Sequence, residues 1–127
     1  MVLHWKFSGN RPVYIQIMDQ IRNAIVTGEL EPGGRVSPVR ELAAQAQVNP
    51  NTMQRALVEL EREHLLVTCS TAGRFVTSDP QILENLRNAA LDAVIRDCAA
   101  QFAAAGITID QAVQMLLALK QEEEQHG

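Results

Sequence analysis

Apolar residues in the first part of the chain recur at the spacing of an α-helix. One such row, at steps of three and four positions, consists of Tyr14, Ile17, Ile21, Ala24 and Ile25. Pro12 suits the first turn of this helix, and Gly28 suits the left-handed residue that ends it. The segment that follows, "ELEPGGRV", is rich in glycine and proline and predicts a turn.

The pattern then predicts two short helices with only Gln47 and Val48 between them. The inward positions of the second helix are Val39, Leu42, Ala43 and Ala46. Its expected cap is Ser37, with Pro38 at the first helical position. The third helix is expected to begin with Asn49 as its cap. Its apolar row is Met53, Ala56, Leu57 and Leu60.

The start of the third helix carries polar side chains that packing does not require. At about 100° per residue, Asn51 and Arg55 point almost directly away from the apolar row. Thr52 and Gln54 flank that row on opposite sides. Asparagine can pair with adenine, arginine with guanine, and threonine can contact thymine or phosphate. These four residues are therefore candidates for contacting DNA, and the simpler interpretation is a solvated helix start.

The rest of the chain predicts a hairpin and two longer helices. The segments "LLVTC" and "RFVT" are rich in β-forming residues and flank the turn "STAG". A fourth helix is expected to begin with Ser78 or Asp79 as its cap and to run to Gly106. A capping box of Thr108 and Gln111 predicts the start of a fifth. Apolar residues surround too much of these two helices for one small domain to cover them.

The predicted fold class is mainly α with a small β-hairpin. Three helices and a hairpin, with a tight turn between the second and third helices, predict a winged helix-turn-helix domain over residues 1–79, with an N-terminal arm. Trp5 and Phe7 are expected to pack this arm against the domain or its partner, and a stacking patch is the alternative. Residues 80–127 are expected to form a two-helix dimerisation region.

Charge limits where a nucleic acid could bind. The 127 residues carry 11 basic and 15 acidic side chains, and a net charge of −4 argues mildly against nucleic acid for the protein as a whole. Residues 1–79 hold eight of each sign, whereas residues 80–127 hold three basic and seven acidic side chains. A DNA-binding surface must therefore be a local cluster in the first part of the chain.

Several other classes of protein fit the sequence less well. Apolar residues make up 46% of the chain, which indicates a packed globular protein rather than disorder. The sequence has neither a membrane-spanning apolar run nor a signal peptide, so we expect a cytoplasmic protein without a membrane partner. Its cysteines and histidines lack metal-ligand spacing, and no catalytic motif stands out. We therefore expect no metal, no cofactor and no enzymatic activity.

The order and spacing of these elements resemble one known family. The run "RPVYIQI…IVTGELEPGGRV…VRELAAQAQVNPNTMQRALVELE…LL…AGRFVT" is similar to the DNA-binding domain of the GntR family of bacterial transcription regulators, over about residues 10–77. The two-helix remainder resembles the YtrA-like subfamily. That resemblance implies a short C-terminal dimerisation element in place of the ligand-binding domain of larger relatives.

The resemblance also implies a set of DNA contacts. The matching positions are Arg40, Asn49, Asn51, Thr52, Gln54 and Arg55 in the helices, with Gly73 and Arg74 in the wing. Three features depart from the family pattern. The order Val36-Ser37-Pro38 replaces the usual Leu-Pro-Ser, His64 replaces a common glycine, and Ser70 replaces a common wing arginine. The first change removes a hydroxyl near the DNA backbone, and the last weakens the expected wing contacts.

The function implied by the resemblance is that of a dimeric repressor on a palindromic double-stranded operator, in many relatives beside a transporter operon. The rival hypothesis is a winged-helix protein-interaction module without DNA binding, which the acidic net charge favours. The set of Arg40, Asn51, Thr52 and Arg55 opposes this rival because packing requires none of them. A third hypothesis, a sensor with its own ligand pocket, leaves only two helices to enclose a metabolite. The operator, the regulated genes and any effector are not specified by the sequence.

Overall fold

The computed structural model describes residues 3–126, which form five α-helices and one two-stranded antiparallel sheet. The elements in chain order are α1 (Val13–Thr27), α2 (Val39–Ala46), α3 (Pro50–Arg62), β1 (Leu66–Cys69), β2 (Gly73–Val76), α4 (Pro80–Ala104) and α5 (Ile109–His126). The predicted fold class is confirmed. Two compact units, Met1–Asn88 and Ala89–Gly127, divide the chain inside α4. The predicted boundary after residue 79, which separates functional domains, stays a prediction.

The core of the first unit is built from the apolar rows that the sequence pattern predicts. The largest fully buried side chains are Ile17, Ile21, Leu42, Met53, Leu57, Leu60 and Leu66. Burying one such side chain stabilises the fold by about 1.5–3 kcal/mol, so the rows together fix how α1, α2 and α3 pack. The first turns of α4 add Ile82, Leu83 and Leu86, which lie partly buried against the same core.

The helix ends agree with the sequence prediction at most positions. Gly28 ends α1 with a left-handed φ of 85°, as predicted. His64 follows α3 with a φ of 64°, the backbone conformation that makes its replacement of glycine costly. The prediction that Ser37 caps α2 is wrong. The capping residue is Pro38, which makes no side-chain cap bond, and the helix begins one residue later than expected, at Val39.

A short extra strand pairing precedes α2, where the sequence predicted only a turn. Arg35 forms an antiparallel bridge with Phe75 of β2. On either side of it, the Val36 N–H donates to the carbonyl of Arg74 at 2.9 Å, and the Val76 N–H donates to the carbonyl of Gly34 at 2.9 Å. This pairing ties the hairpin to the segment that leads into α2.

Two glutamines of α1 hold the N-terminal arm against the first unit. The buried amide of Gln16 bonds both main-chain groups of Ser8, at 2.8 and 2.9 Å. Gln20 bonds both main-chain groups of Lys6 in the same way, at 2.9 and 2.8 Å. Each glutamine replaces the backbone partner that a neighbouring strand would supply. Trp5, which precedes these anchored residues, packs partly buried against the core, as expected for the arm.

The second unit buries few of its apolar side chains. The predicted capping box is present, since the Thr108 hydroxyl accepts from the Gln111 N–H at 3.1 Å and the Gln111 side chain accepts from the Thr108 N–H at 2.9 Å. Of its described residues, Ala112 alone is buried. The large apolar side chains that are 46–70% exposed are Leu91, Val94, Ile95, Ile109, Val113, Met115, Leu116, Leu117 and Leu119.

We expect His64→Gly to raise the free energy of unfolding by about 1 kcal/mol. A left-handed backbone costs a residue with a Cβ about 1–2 kcal/mol, and glycine adopts it freely. Urea unfolding followed by circular dichroism would measure the change. The matched control is Gly28→Ala, at a φ of 85° with no atom near the added Cβ, which should lower the free energy of unfolding. An unchanged or lower stability of His64→Gly would show that its side chain offsets the backbone strain.

Candidate nucleic-acid interface

The exposed start of α3 is the centre of the candidate interface. Asn49 caps this helix, and its side-chain oxygen accepts a hydrogen bond from the Asn51 N–H at 2.8 Å. Pro50 occupies the first helical position, where a missing N–H costs nothing. The predicted cap is therefore confirmed. A side-chain oxygen that is already bonded to its own helix has less capacity to contact a base, so the structural role of Asn49 is the stronger one.

Burial of one face of α3 decides which side chains face solvent. The apolar row of this helix has no exposed surface and consists of Met53, Ala56, Leu57 and Leu60. Asn51, Gln54 and Arg55 are exposed, and Thr52 is half-buried. These four residues lie where the sequence pattern predicts them, on the sides of the helix that do not pack against the core.

A tight turn joins α2 to α3. Gln47 ends α2 with a left-handed φ of 57°, and its N–H donates to the carbonyl of Ala44 at 3.3 Å. The Val48 N–H then donates to the carbonyl of Ala43 at 3.0 Å. These bonds satisfy the last carbonyls of α2 and reverse the chain within two residues. The result is the predicted helix-turn-helix geometry.

Arg40 lies exposed near the start of α2 and has no ion-pair partner among residues 3–126. An ion pair with Glu41 or Glu59 would occupy this arginine, and the structure has neither pair. Glu59 instead pairs with Arg62, with an N–O distance of 2.9 Å. The guanidinium of Arg40 is therefore available to an anion outside the protein.

Arg55 has an aromatic rather than an acidic neighbour. Its guanidinium carbon lies 3.8 Å from the centroid of the Tyr14 ring, in cation–π geometry. Tyr14 belongs to the first turn of α1 and is itself partly buried against the core. This contact was not predicted from the sequence, because it joins residues 41 positions apart through the packing of α1 on α3.

The wing holds the last two predicted site residues. Gly73 starts β2 with a φ of 110°, which favours glycine. Arg74 is directed toward the protein, because its Nε pairs with a Glu61 oxygen at 2.5 Å. The other Glu61 oxygen accepts from the Thr68 hydroxyl at 3.0 Å. The hairpin is thereby fastened to the last turn of α3, and Arg74 is less available than the sequence suggests.

Arg35 is a further candidate that the sequence reasoning missed. It is exposed, and its Nε lies 3.4 Å from the position that a Cβ on Gly73 would take. Its bridge to Phe75 holds it beside the wing. The signal in the sequence was weak, since the surrounding "EPGGRV" indicates only a turn.

The arginines of the first unit fall into two groups, those with a carboxylate partner and those without one. The paired arginines are Arg11, Arg22, Arg62 and Arg74. Within the described residues of this unit, 3–88, the arginines without a carboxylate partner are Arg35, Arg40, Arg55 and Arg87, the last of which lies on α4. The hydrogen bond that Arg22 donates to Glu63, with smaller effects from the charges of Glu63 and Asp19, raises the pKa of Arg22 against the opposing effect of its burial. Four of the nine carboxylates in this unit are thus paired with arginines, and these are Asp19, Glu59, Glu61 and Glu63.

Metal-ligating groups, thiols and apolar helices are the other features of the molecule that bear on function. No group of three or more metal-ligating side chains occurs in the part of the chain that the structure describes. Cys69 and Cys98 are both free thiols. No single described helix is long and apolar enough to cross a membrane, although α4 and α5 reach that length and composition as a bent pair.

The fold, the exposed start of α3 and the unpaired cations define a winged helix-turn-helix DNA-binding protein. The sequence model for bacterial regulatory proteins of the gntR family matches residues 13–76, from the start of α1 to the end of β2. The chain belongs to the GntR family and is a DNA-binding transcriptional regulator. This family consists of transcription regulators rather than enzymes.

Individual relatives support the family assignment, and the first of them extends the match beyond the DNA-binding domain. The chain is 34% identical to YhcF of Bacillus subtilis, an uncharacterized HTH-type transcriptional regulator, over 86% of this chain and 90% of that protein. It is 37% identical to the B. subtilis HTH-type transcriptional repressor YtrA over 54% of this chain and 52% of YtrA. The predicted resemblance to YtrA-type members of the family is confirmed.

Solved structures give the same result. A GntR family transcriptional regulator from Listeria monocytogenes superposes with a TM-score of 0.78 and 32% identity, over 88% of this chain and 98% of that one. The structure of AraR(DBD) in complex with operator ORX1 superposes with a TM-score of 0.54 and 27% identity, over 61% of this chain and 99% of that one.

We expect Asn49→Ala to lower the free energy of unfolding by about 1 kcal/mol, because the substitution removes the cap of α3. Asn51→Ala is the matched control, and it should change stability by less than about 0.5 kcal/mol because its side chain is exposed. Thermal and urea unfolding of the two variants would measure the difference. Equal stability of the two variants would contradict the assignment of Asn49 as a structural cap.

Proposed function

We propose that this regulator acts in the cytoplasm as a homodimeric repressor on a palindromic operator. The observation that carries the proposal is the division of charge in the first unit. Carboxylates pair with Arg22, Arg62 and Arg74. In contrast, Arg35 beside the wing, Arg40 on α2 and Arg55 on α3 are exposed and have no carboxylate partner among residues 3–126. The repressor name of YtrA and the operator bound to AraR support the same function.

In this proposal the start of α3 enters the major groove and reads base edges. Asn51 is suited to adenine and Arg55 to guanine, through two hydrogen bonds each. Thr52 and Gln54 flank them and add base or phosphate contacts, and Asn49 holds the helix end from which these side chains project. The free N–H groups and the dipole of the helix start favour the nearby phosphates.

The remaining proposed contacts are with the DNA backbone. Arg40 on α2 and Arg35 beside the wing each offer an unpaired guanidinium to a phosphate. In the wing, Gly73 allows close approach of the main chain. Arg74 uses its Nε for Glu61, and its terminal N–H groups can still donate to a phosphate.

The dimer is proposed from the exposed apolar face of the second unit. Its α4 and α5 segments line an apolar groove with Val94, Ile95, Phe102, Val113 and Leu116. Contiguous exposed apolar surface of this kind is typical of a protein interface. A second copy would cover it with an identical surface, which a two-fold dimer requires. Two-fold symmetry also explains why the operator should be palindromic.

The two proposed kinds of DNA contact predict different mutant behaviour. The probes are a duplex selected by the wild-type protein from a randomised library and a scrambled duplex of the same composition. Asn51→Ala should weaken binding to the selected duplex by about 1–3 kcal/mol and leave the scrambled duplex unaffected. Arg40→Ala should weaken binding to both duplexes. It should also reduce the slope of log K against log salt concentration by about one unit for each phosphate that Arg40 neutralises in the wild type.

Fluorescence anisotropy at several salt concentrations would measure both effects. Arg96→Ala is the matched control, because Arg96 is an exposed arginine that already pairs with Asp92 on α4. Equal losses of Asn51→Ala on the two duplexes would reduce its role to phosphate contact. If neither variant changes binding, the protein-interaction hypothesis replaces the proposed function.

The proposed interface gives a separate prediction. Val94→Glu combined with Leu116→Glu should produce a monomer at micromolar concentration, because two buried carboxylates oppose association. The control is Val67→Glu, a similar change at an exposed apolar position of β1. Sedimentation equilibrium would measure the mass of each variant. A wild-type protein that is already monomeric, or a double variant that remains dimeric, would contradict this interface.

A further inference from the structure

Arg55 differs from the paired arginines in what holds its side chain. A carboxylate partner uses N–H donors of a guanidinium and cancels its charge, as Glu59 does for Arg62 on the same helix. An aromatic face attracts the cation from above the guanidinium plane. The Tyr14 ring centroid lies 3.8 Å from the guanidinium carbon, and no carboxylate among residues 3–126 pairs with Arg55, so its charge is not cancelled and its N–H donors are not used by an acid.

We propose that Tyr14 is a positioning residue for operator recognition, which acts by holding Arg55 ready to bind a guanine edge. This inference rests on the proposed function. The guanidinium keeps its full charge and all its in-plane donors while its side chain is restrained before DNA arrives. Restraint in the free protein reduces the conformational entropy that binding would otherwise remove.

The position of Tyr14 suits a fixed platform. It lies in the first turn of α1 and is partly buried against the core, so its ring does not have the freedom of a surface side chain. The fully buried residues Ile17 and Leu57 belong to the two helices that bring Tyr14 and Arg55 together. Core packing thus fixes the distance between the ring and the recognition helix.

The first test separates the ring of Tyr14 from its hydroxyl. Tyr14→Leu should weaken binding to the selected duplex by about two- to thirtyfold, the range of a cation–π contact. Tyr14→Phe should bind as the wild type does, because phenylalanine keeps the aromatic face. Val13→Ala, an adjacent change on α1, is the control and should bind normally. Circular dichroism would establish that each variant is folded.

A double-mutant cycle then tests whether Tyr14 acts through Arg55. In the Arg55→Ala background, Tyr14→Leu should have no further effect on the affinity for the selected duplex. A purely structural role of Tyr14 would persist in that background. In the wild-type protein, the ring should also shift the Arg55 Nε–H resonance upfield of the usual range for an arginine side chain. Tyr14→Phe should retain this shift.

Each contrary result overturns a defined part of the proposal. If Arg55→Ala binds normally, the use of Arg55 in the proposed function fails, and the role of Tyr14 fails with it. If Arg55→Ala weakens binding while Tyr14→Leu does not, the role of Tyr14 alone fails. Loss of binding in Tyr14→Phe, or an undiminished effect of Tyr14→Leu in the cycle, would also overturn it. An unshifted Arg55 resonance in the wild-type protein would do so without any variant.

Discussion

Burial of one face of α3 is the constraint on which the rest of the interface depends. Met53, Ala56, Leu57 and Leu60 have no exposed surface, so the helix cannot rotate without bringing polar groups into the core. That fixed rotation directs Asn51 and its polar neighbours outward. The turn at Gln47 and the cap at Asn49 then set where the helix begins. The proposed DNA-reading surface thus follows from packing on the opposite side of the same helix.

Ion pairs within the first unit determine which of its charged side chains remain available to DNA. A chain with a net charge of −4 can still present a local cluster of cations to DNA. Glu61 and Glu63 are held by Arg74 and Arg22, and these pairs also fasten the hairpin and α1 to the end of α3. The same contacts therefore support the fold and remove acidic groups from competition with phosphate.

The second unit has the opposite property, since its apolar groups are exposed rather than buried. A helix that packs within its own chain covers its apolar face, as α3 does. The α5 helix leaves Ile109, Val113 and Leu116 at least 46% exposed. This contrast between the units is the physical reason to propose that the C-terminal helices meet a second copy of the chain.

The sequence by itself determined the helices, the hairpin, the Asn49 cap and the outward direction of Asn51 and Arg55. These features depend on residues within a few positions of one another, where periodicity and capping chemistry act. Only the tertiary structure decided that Arg55 rests on Tyr14, that Arg74 pairs with Glu61, and that Arg35 lies beside the wing. Each of these contacts joins separate elements of the chain, and the packing of the core brings them together. Local patterns carry no information on such pairings, because side-chain partners across elements depend on distances that the whole fold sets.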